Sequence, residues 1–263
     1  MRIKINLSAN NAILPNNNQH LVNSYLHKCL GANNNYHDVH SNYSVSLLQN
    51  GILDKETKSV CINDAYIIVS SFDSNFISTL MCGLMNNRTF HKNIELSNIE
   101  FIPDEVMYSG YNHFRTLSPF LIRSDNRDIV VSDFDNLSEM SQFIQPIILN
   151  KLRIIDEKYK FNLDFTNFNI SIDWCHSIRR FIKPDCRASN VNNCGFTLTC
   201  HKDISNLLYN IGIGQSTGAG FGCIYKAENK FLYRNEKMDC LRTKMHKNTH
   251  FLNEKHSQLI DNQ

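Results

Sequence analysis

Several signatures of common nucleotide and metal chemistry are missing from this chain. No Gly-Lys-Ser or Gly-Lys-Thr triplet occurs, so there is no P-loop to set a lysine and a hydroxyl on phosphate and magnesium. No Cys-x-x-Cys pair occurs among the nine cysteines, which argues against the common zinc frameworks. Cys194, Cys200 and His201, with Cys175, His176 and Cys186 nearby, still raise zinc as an alternative, although strand cysteines are often plain core residues. No apolar run approaches the ~20 residues that span a bilayer. The opening Met1-Arg2-Ile3-Lys4-Ile5-Asn6 alternates like a strand and does not read as a secretory signal. The expectation is a cytoplasmic protein with reduced thiols, no membrane partner, no metal and no cofactor. Charge of either sign is scarce in excess: the net is only +2. Lys226, Lys230, Arg234, Lys237, Arg242, Lys244, Lys247 and Lys255 make a basic tail, and the remainder is nearly neutral. A near-neutral average leaves an RNA partner open, because a local stripe of Lys/Arg suffices to bind phosphates.

What the chain does have is a glycine cluster. Gly212-Ile213-Gly214-Gln215-Ser216-Thr217-Gly218-Ala219-Gly220-Phe221-Gly222 holds five of its ten glycines. Glycine costs stability unless the backbone needs unusual dihedrals or a close approach. A loop of small residues can also present successive backbone N–H groups to phosphate oxygens. The competing reading is a tight turn packed on a strand. The dinucleotide fingerprint is excluded, because it leads from a strand into a helix. Here Phe221-Gly222-Cys223-Ile224-Tyr225 leads into a strand.

At 263 residues the chain suits one large domain or two small ones. Ile3, Ile5 and Leu7 alternate as a first strand. Residues 17–30 read as a helix with Leu21, Val22, Tyr25, Leu26, Cys29 and Leu30 on one side. His20, Asn23, Ser24, His27 and Lys28 fall on the other. Strands are predicted at 43–48, 66–69 and 94–102, with a helix at 74–86 capped by Asp73 or Ser74. This β-α-β-β-α-β order is the ferredoxin-like unit. It recurs as a strand at 115–122, a helix at 137–159 with a break or kink at Pro146, strands at 170–177 and 195–200, a helix at 203–210 and a strand at 222–226. The extra segment 179–194 carries Arg179, Arg180, Lys183 and Arg187. The expected fold is α+β, with tandem ferredoxin-like (RRM-like) domains at 1–105 and 106–226 and a basic tail at 227–263. Trp174 is expected in the core beside Ile170 and Ile172.

Three stretches then resemble a known family. They are Gly220-Phe221-Gly222 at the end of the glycine loop, Thr116-Leu117-Ser118-Pro119, and Tyr36-His37-Asp38-Val39 followed by Tyr43-Ser44-Val45-Ser46. In this order and spacing the chain resembles the CRISPR-associated endoribonucleases that cut repeat RNA into guide units, the sixth Cas family of the RAMP superfamily. The resemblance implies metal-independent cleavage once per repeat, leaving 2′,3′-cyclic phosphate and 5′-hydroxyl ends. It also implies catalytic residues near the first helix and the loop after it, and a glycine loop that helps hold RNA. The implied partner is CRISPR repeat RNA as precursor and product. A CRISPR effector complex, and whether the chain is a monomer or a homodimer, stay open. The sequence departs from the family in three places. Ser216 follows Gln215 where members often carry a basic residue. His27 stands where many have tyrosine. No lysine lies between Lys28 and Lys55.

RNA carries its own nucleophile, the 2′-hydroxyl, so its cleavage needs a base, an acid and positive charge beside the phosphate. Imidazole suits both proton transfers, because its ordinary pKa lies near ~6.5. Four of the eleven histidines lie within 20–40. His37 is assigned as general acid or base, with His27 or His40 as its partner. Lys28 or a basic residue of 179–187 is assigned to the developing phosphorane charge. Arg179, Arg180, Lys183 and Arg187, with Gly212, Gly214, Gln215, Ser216, Gly218, Gly220 and Gly222, are the RNA-binding candidates. A non-catalytic RNA-binding subunit of the same fold is the alternative. A Cys/His metalloenzyme is a third reading.

Overall fold

The alternation at the start of the chain becomes a long strand, β1 (Arg2–Pro15), with Ile3, Ile5 and Leu7 wholly buried. It leads into α1 (Gln19–Leu30), which buries Val22, Tyr25, Leu26, Cys29 and Leu30. The expected apolar face of this helix is thus the face that packs. There follow β2 (Tyr43–Val45), β3 (Ile52–Asp54) and β4 (Ser59–Ser71). Asp73 caps α2 (Ser74–Asn86), its carboxylate accepting from the N–H groups of Asn75 and Phe76. β5 (Thr89–His91) and β6 (Ile94–Ile102) complete an antiparallel sheet ordered β2-β4-β1-β6-β5, with β3 added on β4. The computed structural model describes residues 1–31, 34, 36, 41–54, 56–180 and 188–228. Residues Met1–Ala227 form one compact unit.

The second half repeats the pattern. β7 (Gly110–Thr116) is followed by a short ribbon, β8 (Arg123–Ser124) and β9 (Arg127–Asp128). Then come α3 (Leu137–Tyr159), β10 (Asn169–Arg180), β11 (Ser189–Cys200), α4 (Lys202–Ile211) and β12 (Ile224–Lys226). The sheet order is β10-β11-β7-β12. β2-β4-β1-β6 in the first half has the same order of second, third, first and fourth strand, so both halves are ferredoxin-like. Each sheet buries one apolar face beneath its two helices, giving two separate cores. The crossing between the sheets falls at 103–109.

One buried cation joins the halves. Arg2 is 1% exposed. It donates to Tyr209 O at 2.6 Å and Ile224 O at 2.8 Å, and its guanidinium lies 3.6 Å from the centre of the Tyr209 ring. Those carbonyls end α4 and open β12, so the first strand is clamped to both elements that flank the glycine loop.

Four sequence expectations change. The strand expected at 115–122 is β7, ending at Thr116. Leu117 and Ser118 instead turn both N–H groups onto Cys223 O. The strand expected at 43–48 is ladder-paired only over 43–45, because the Ser46 hydroxyl takes the Ile68 N–H in place of backbone. The insert 179–194 keeps the hairpin pairing expected between its flanking strands, with Arg180 opposite Ser189 and Arg179 opposite Asn190. Trp174 is 37% exposed and does not share the face of Ile170 and Ile172. A bulge between Ile172 and Trp174 inserts one residue and reverses the alternation. Pro146 does not end α3, which continues through it. Among the described residues, no helix is long and apolar enough to cross a membrane.

Candidate functional site

Described parts of the three stretches singled out in the sequence meet at one place: Tyr43, Ser118-Pro119 and the glycine loop. Thr217 of the glycine loop donates its hydroxyl to Tyr43 O at 3.0 Å. The Ser118 hydroxyl accepts from Leu47 N at 2.7 Å, and Pro119 O accepts from Gly222 N at 2.9 Å. A side chain on Gly218 would press against the Tyr43 ring and the Ser41 hydroxyl, at 2.8 and 2.9 Å. Ser41 directly follows His40 in the sequence.

The first helix supplies the other wall. Gln19, Asn23 and His27 lie four residues apart and form one stripe. The Asn23 amide donates to Ala219 O at 3.3 Å, and Gln19 lies directly under Gly220. His27 is half-buried, one turn beyond Asn23 on that stripe. Lys28 is exposed on the neighbouring face. His37 and His40 lie outside the described residues, as do Lys183 and Arg187. Arg179 and Arg180 border a groove that also touches Phe221 at the end of the loop.

Within the loop the glycines divide by job. Gly212, Gly214, Gly220 and Gly222 all have positive φ, between 62° and 98°, and are buried. They shape a loop closed by Ile213 N–H to Gly222 O at 2.9 Å. Its accessible residues are Gln215, Ser216, Gly218 and Ala219, while Thr217 between them is buried. There Gln215 brackets Arg123, accepting its N–H at 3.0 Å and donating to its carbonyl at 3.3 Å. Ser216 is exposed and left-handed at φ 55°, opening a 3-10 turn, Thr217–Ala219. The N–H groups of Ser216, Thr217 and Gly218 form no hydrogen bond among the described residues, and successive unpaired N–H groups are the kind that bind phosphate oxygens.

Sequence reasoning missed Lys151. It flanks the apolar stripe of Ile144, Ile148, Leu152 and Ile155 on α3, and a cation beside such a stripe was the available signal. Its ammonium donates to Ile211 O, Gly212 O, Gly214 O and Thr217 Oγ1, all at 3.2–3.3 Å. It therefore ties together the end of α4 and the glycine loop. Burial pushes its pKa down to about 7, against the pull of those four acceptors. Between about 7 and the ordinary value of 10.5 the unfolded chain holds a proton that the folded one releases. Stability in that window should therefore rise with pH. Lys151→Met should remove this contribution, so urea midpoints compared across that window should favour the wild type increasingly as pH rises. Parallel pH profiles would contradict it.

Among the described residues no three His, Cys, Asp or Glu side chains are placed to share a metal ion. Cys194 and Cys200 are buried core residues, and burial raises the pKa of both thiols.

The fold and the loop together define a class: a tandem ferredoxin-like protein with a glycine loop packed between its halves. Residues 102–225 match the family described as CRISPR associated protein Cas6, C-terminal. That match covers the C-terminal half, and the likeness continues through the N-terminal half. The CRISPR-associated endoribonuclease Cas6 1 of Methanocaldococcus jannaschii is 26% identical over 263 residues, covering 93% of this chain and 98% of that protein. Among solved structures, a RAMP protein described as binding different RNA substrates superposes with a TM-score of 0.72 at 18% identity, covering 86% of this chain and 99% of the other. A Cas6-related protein from Pyrococcus furiosus gives 0.71 at 20% identity, covering 87% and 98%.

Proposed function

We propose that the protein is an endoribonuclease that cuts CRISPR precursor RNA within its repeats, without a metal ion, to release guide units. The observation that carries this reading is the convergence of the 41–47 segment, Ser118-Pro119 and the glycine loop on one another. A relative named as a CRISPR-associated endoribonuclease Cas6 supports it. The chain divides by function into residues 1–105, which bring the imidazoles, and 106–226, which bring the loop. The setting proposed is cytoplasmic.

In the proposed reaction a base removes the proton of the ribose 2′-hydroxyl. The 2′-oxygen then bonds to phosphorus and the bond from phosphorus to the 5′-oxygen breaks. An acid gives that oxygen a proton, leaving a 2′,3′-cyclic phosphate and a 5′-hydroxyl. His37 serves as one of the two, with His27 or His40 as the other. The open N–H groups of 216–218 and a nearby cation, Lys28 or one of 179–187, stabilise the phosphorane charge.

The test is incubation of a CRISPR precursor transcript with the protein in excess EDTA, followed by mapping of the ends. Cleavage at one position per repeat with a cyclic phosphate is expected. Cleavage that stops on chelation would overturn the metal-independent chemistry. Tight binding without cleavage would leave the RNA-binding-subunit reading in its place.

A further inference from the structure

Three backbone carbonyls converge on one point at the base of the glycine loop. Ile211 is the last residue of α4 and Gly212 is its C-cap, so their oxygens are orphan carbonyls of a helix end. Gly214 contributes the third. Among the described residues none of the three receives a backbone N–H. Oxygens gathered in this way repel one another unless a cation lies between them, and a helix C-terminus favours positive charge. The Lys151 ammonium occupies that point, with Thr217 Oγ1 as its fourth acceptor, all at 3.2–3.3 Å.

An ammonium has three hydrogens, so four acceptors at nearly equal distance share them. No carboxylate pairs with Lys151 among the described residues. Its charge therefore acts on the dipoles of the loop alone. The Thr217 hydroxyl, which accepts from Lys151, donates in turn to Tyr43 O. One chain of bonds thus runs from α3 through the loop to β2. Thr217 is also the middle one of the three residues whose N–H groups stay open.

We infer that Lys151 is a positioning residue for RNA cleavage: its ammonium is a tethered cation around which the glycine loop closes, and through Thr217 it fixes the arc that carries the open N–H groups. The inference rests on the RNA-processing reading and adds to it a residue of α3 that acts through the loop.

The experiment is chemical rescue. Lys151→Ala removes the atoms that propylammonium replaces. A cavity of about 490 Å³ beside Lys151, lined also by Ser41, Ile147, Ile154 and Ser216, gives the added amine a way in. Assays at pH 6 keep the lysine protonated, below the value of about 7 to which burial lowers it. Single-turnover cleavage of a CRISPR precursor at saturating protein should fall by at least about thirtyfold in Lys151→Ala, since a misplacement of about 1 Å can cost about 10²-fold. RNA affinity should fall by less than about fivefold, because other phosphate contacts remain. Propylammonium should restore the rate of this variant by at least about fivefold and raise its melting temperature by about 2 °C or more, with neither effect on the wild type. Tetramethylammonium has the same charge and no N–H, and should do neither. Lys151→Met keeps an apolar stem in place. It should be as slow as the alanine variant and unmoved by propylammonium.

A lysine that only stabilises the fold would leave folded molecules cutting at the wild-type rate well below their melting temperature, and that result in either variant would overturn the inference. So would a loss that propylammonium fails to restore, or one that tetramethylammonium restores equally. A wild type that cuts no transcript removes the endonuclease reading and with it any role in cleavage. A wild type that cuts no faster than Lys151→Ala removes only the role of the lysine.

Discussion

His37→Ala is expected to slow single-turnover cleavage of a CRISPR precursor by about 10²–10⁴-fold, the usual worth of a positioned acid or base. RNA affinity should change by less than about threefold, because an imidazole that moves protons contributes little to ground-state binding. The segment that carries His37 ends at Ser41, and Ser41 sits against Gly218. The same substitution at His20 should leave the rate within twofold. His20 lies at the start of α1, and its Nδ1 is tied to Asn17 O at 2.9 Å. Rate constants at saturating protein, measured for both variants, decide the assignment. Full activity in the His37 variant would remove it from the mechanism.

Gly222→Ala is expected to have the largest structural effect. Gly222 has φ +62°, and a side chain there would be driven into the carbonyl oxygen of Ile213, a backbone atom that cannot rotate away. The left-handed conformation alone costs an alanine about 1–2 kcal/mol, and the collision adds to that. Two bonds are at stake, Ile213 N–H to Gly222 O and Gly222 N–H to Pro119 O, each 2.9 Å long. The first closes the loop. The second ties it to the stretch that also receives Leu47. Melting should fall by at least about 5 °C, at roughly 2–4 °C per kcal/mol for a chain of this size. Molecules that remain folded should lose RNA cleavage with the loop. Gly218→Ala presses only on the side chains of Tyr43 and Ser41, so its melting temperature should stay closer to the wild type. A Gly222→Ala protein with wild-type melting and wild-type cleavage would show that the loop closure is dispensable.

The architecture was legible in the sequence where periodicity is strong. α1, α2, α3 and α4 stand within two residues of their expected places, because each shows an uninterrupted 3.6-residue stripe or a cap such as Asp73. Strand ends were less legible where side chains replace backbone in the ladder, as Ser46 does. They were also less legible where a bulge changes the phase, as at Trp174. The glycine loop was visible as a cluster, but its inner division of labour was not. The four buried glycines owe their identity to positive φ, and the accessible Gln215–Ala219 arc depends on tertiary bonds from Leu121, Arg123 and Lys151. Those partners are distant in sequence, so no local pattern announces them. Arg2 is the plainest case. Two residues from the start, it reads as a strand flank, yet it is buried between α4 and β12, over 200 positions away.

The central claim is that the substrate's own 2′-hydroxyl is the nucleophile, activated by imidazoles beside a phosphate that the glycine loop holds. The direct measurement replaces that single hydroxyl by hydrogen at the mapped cut site of a repeat RNA. Affinity should stay within about twofold and no product should form at that position. Continued cutting there at a comparable rate would contradict the account, since the attacking oxygen would have to come from elsewhere.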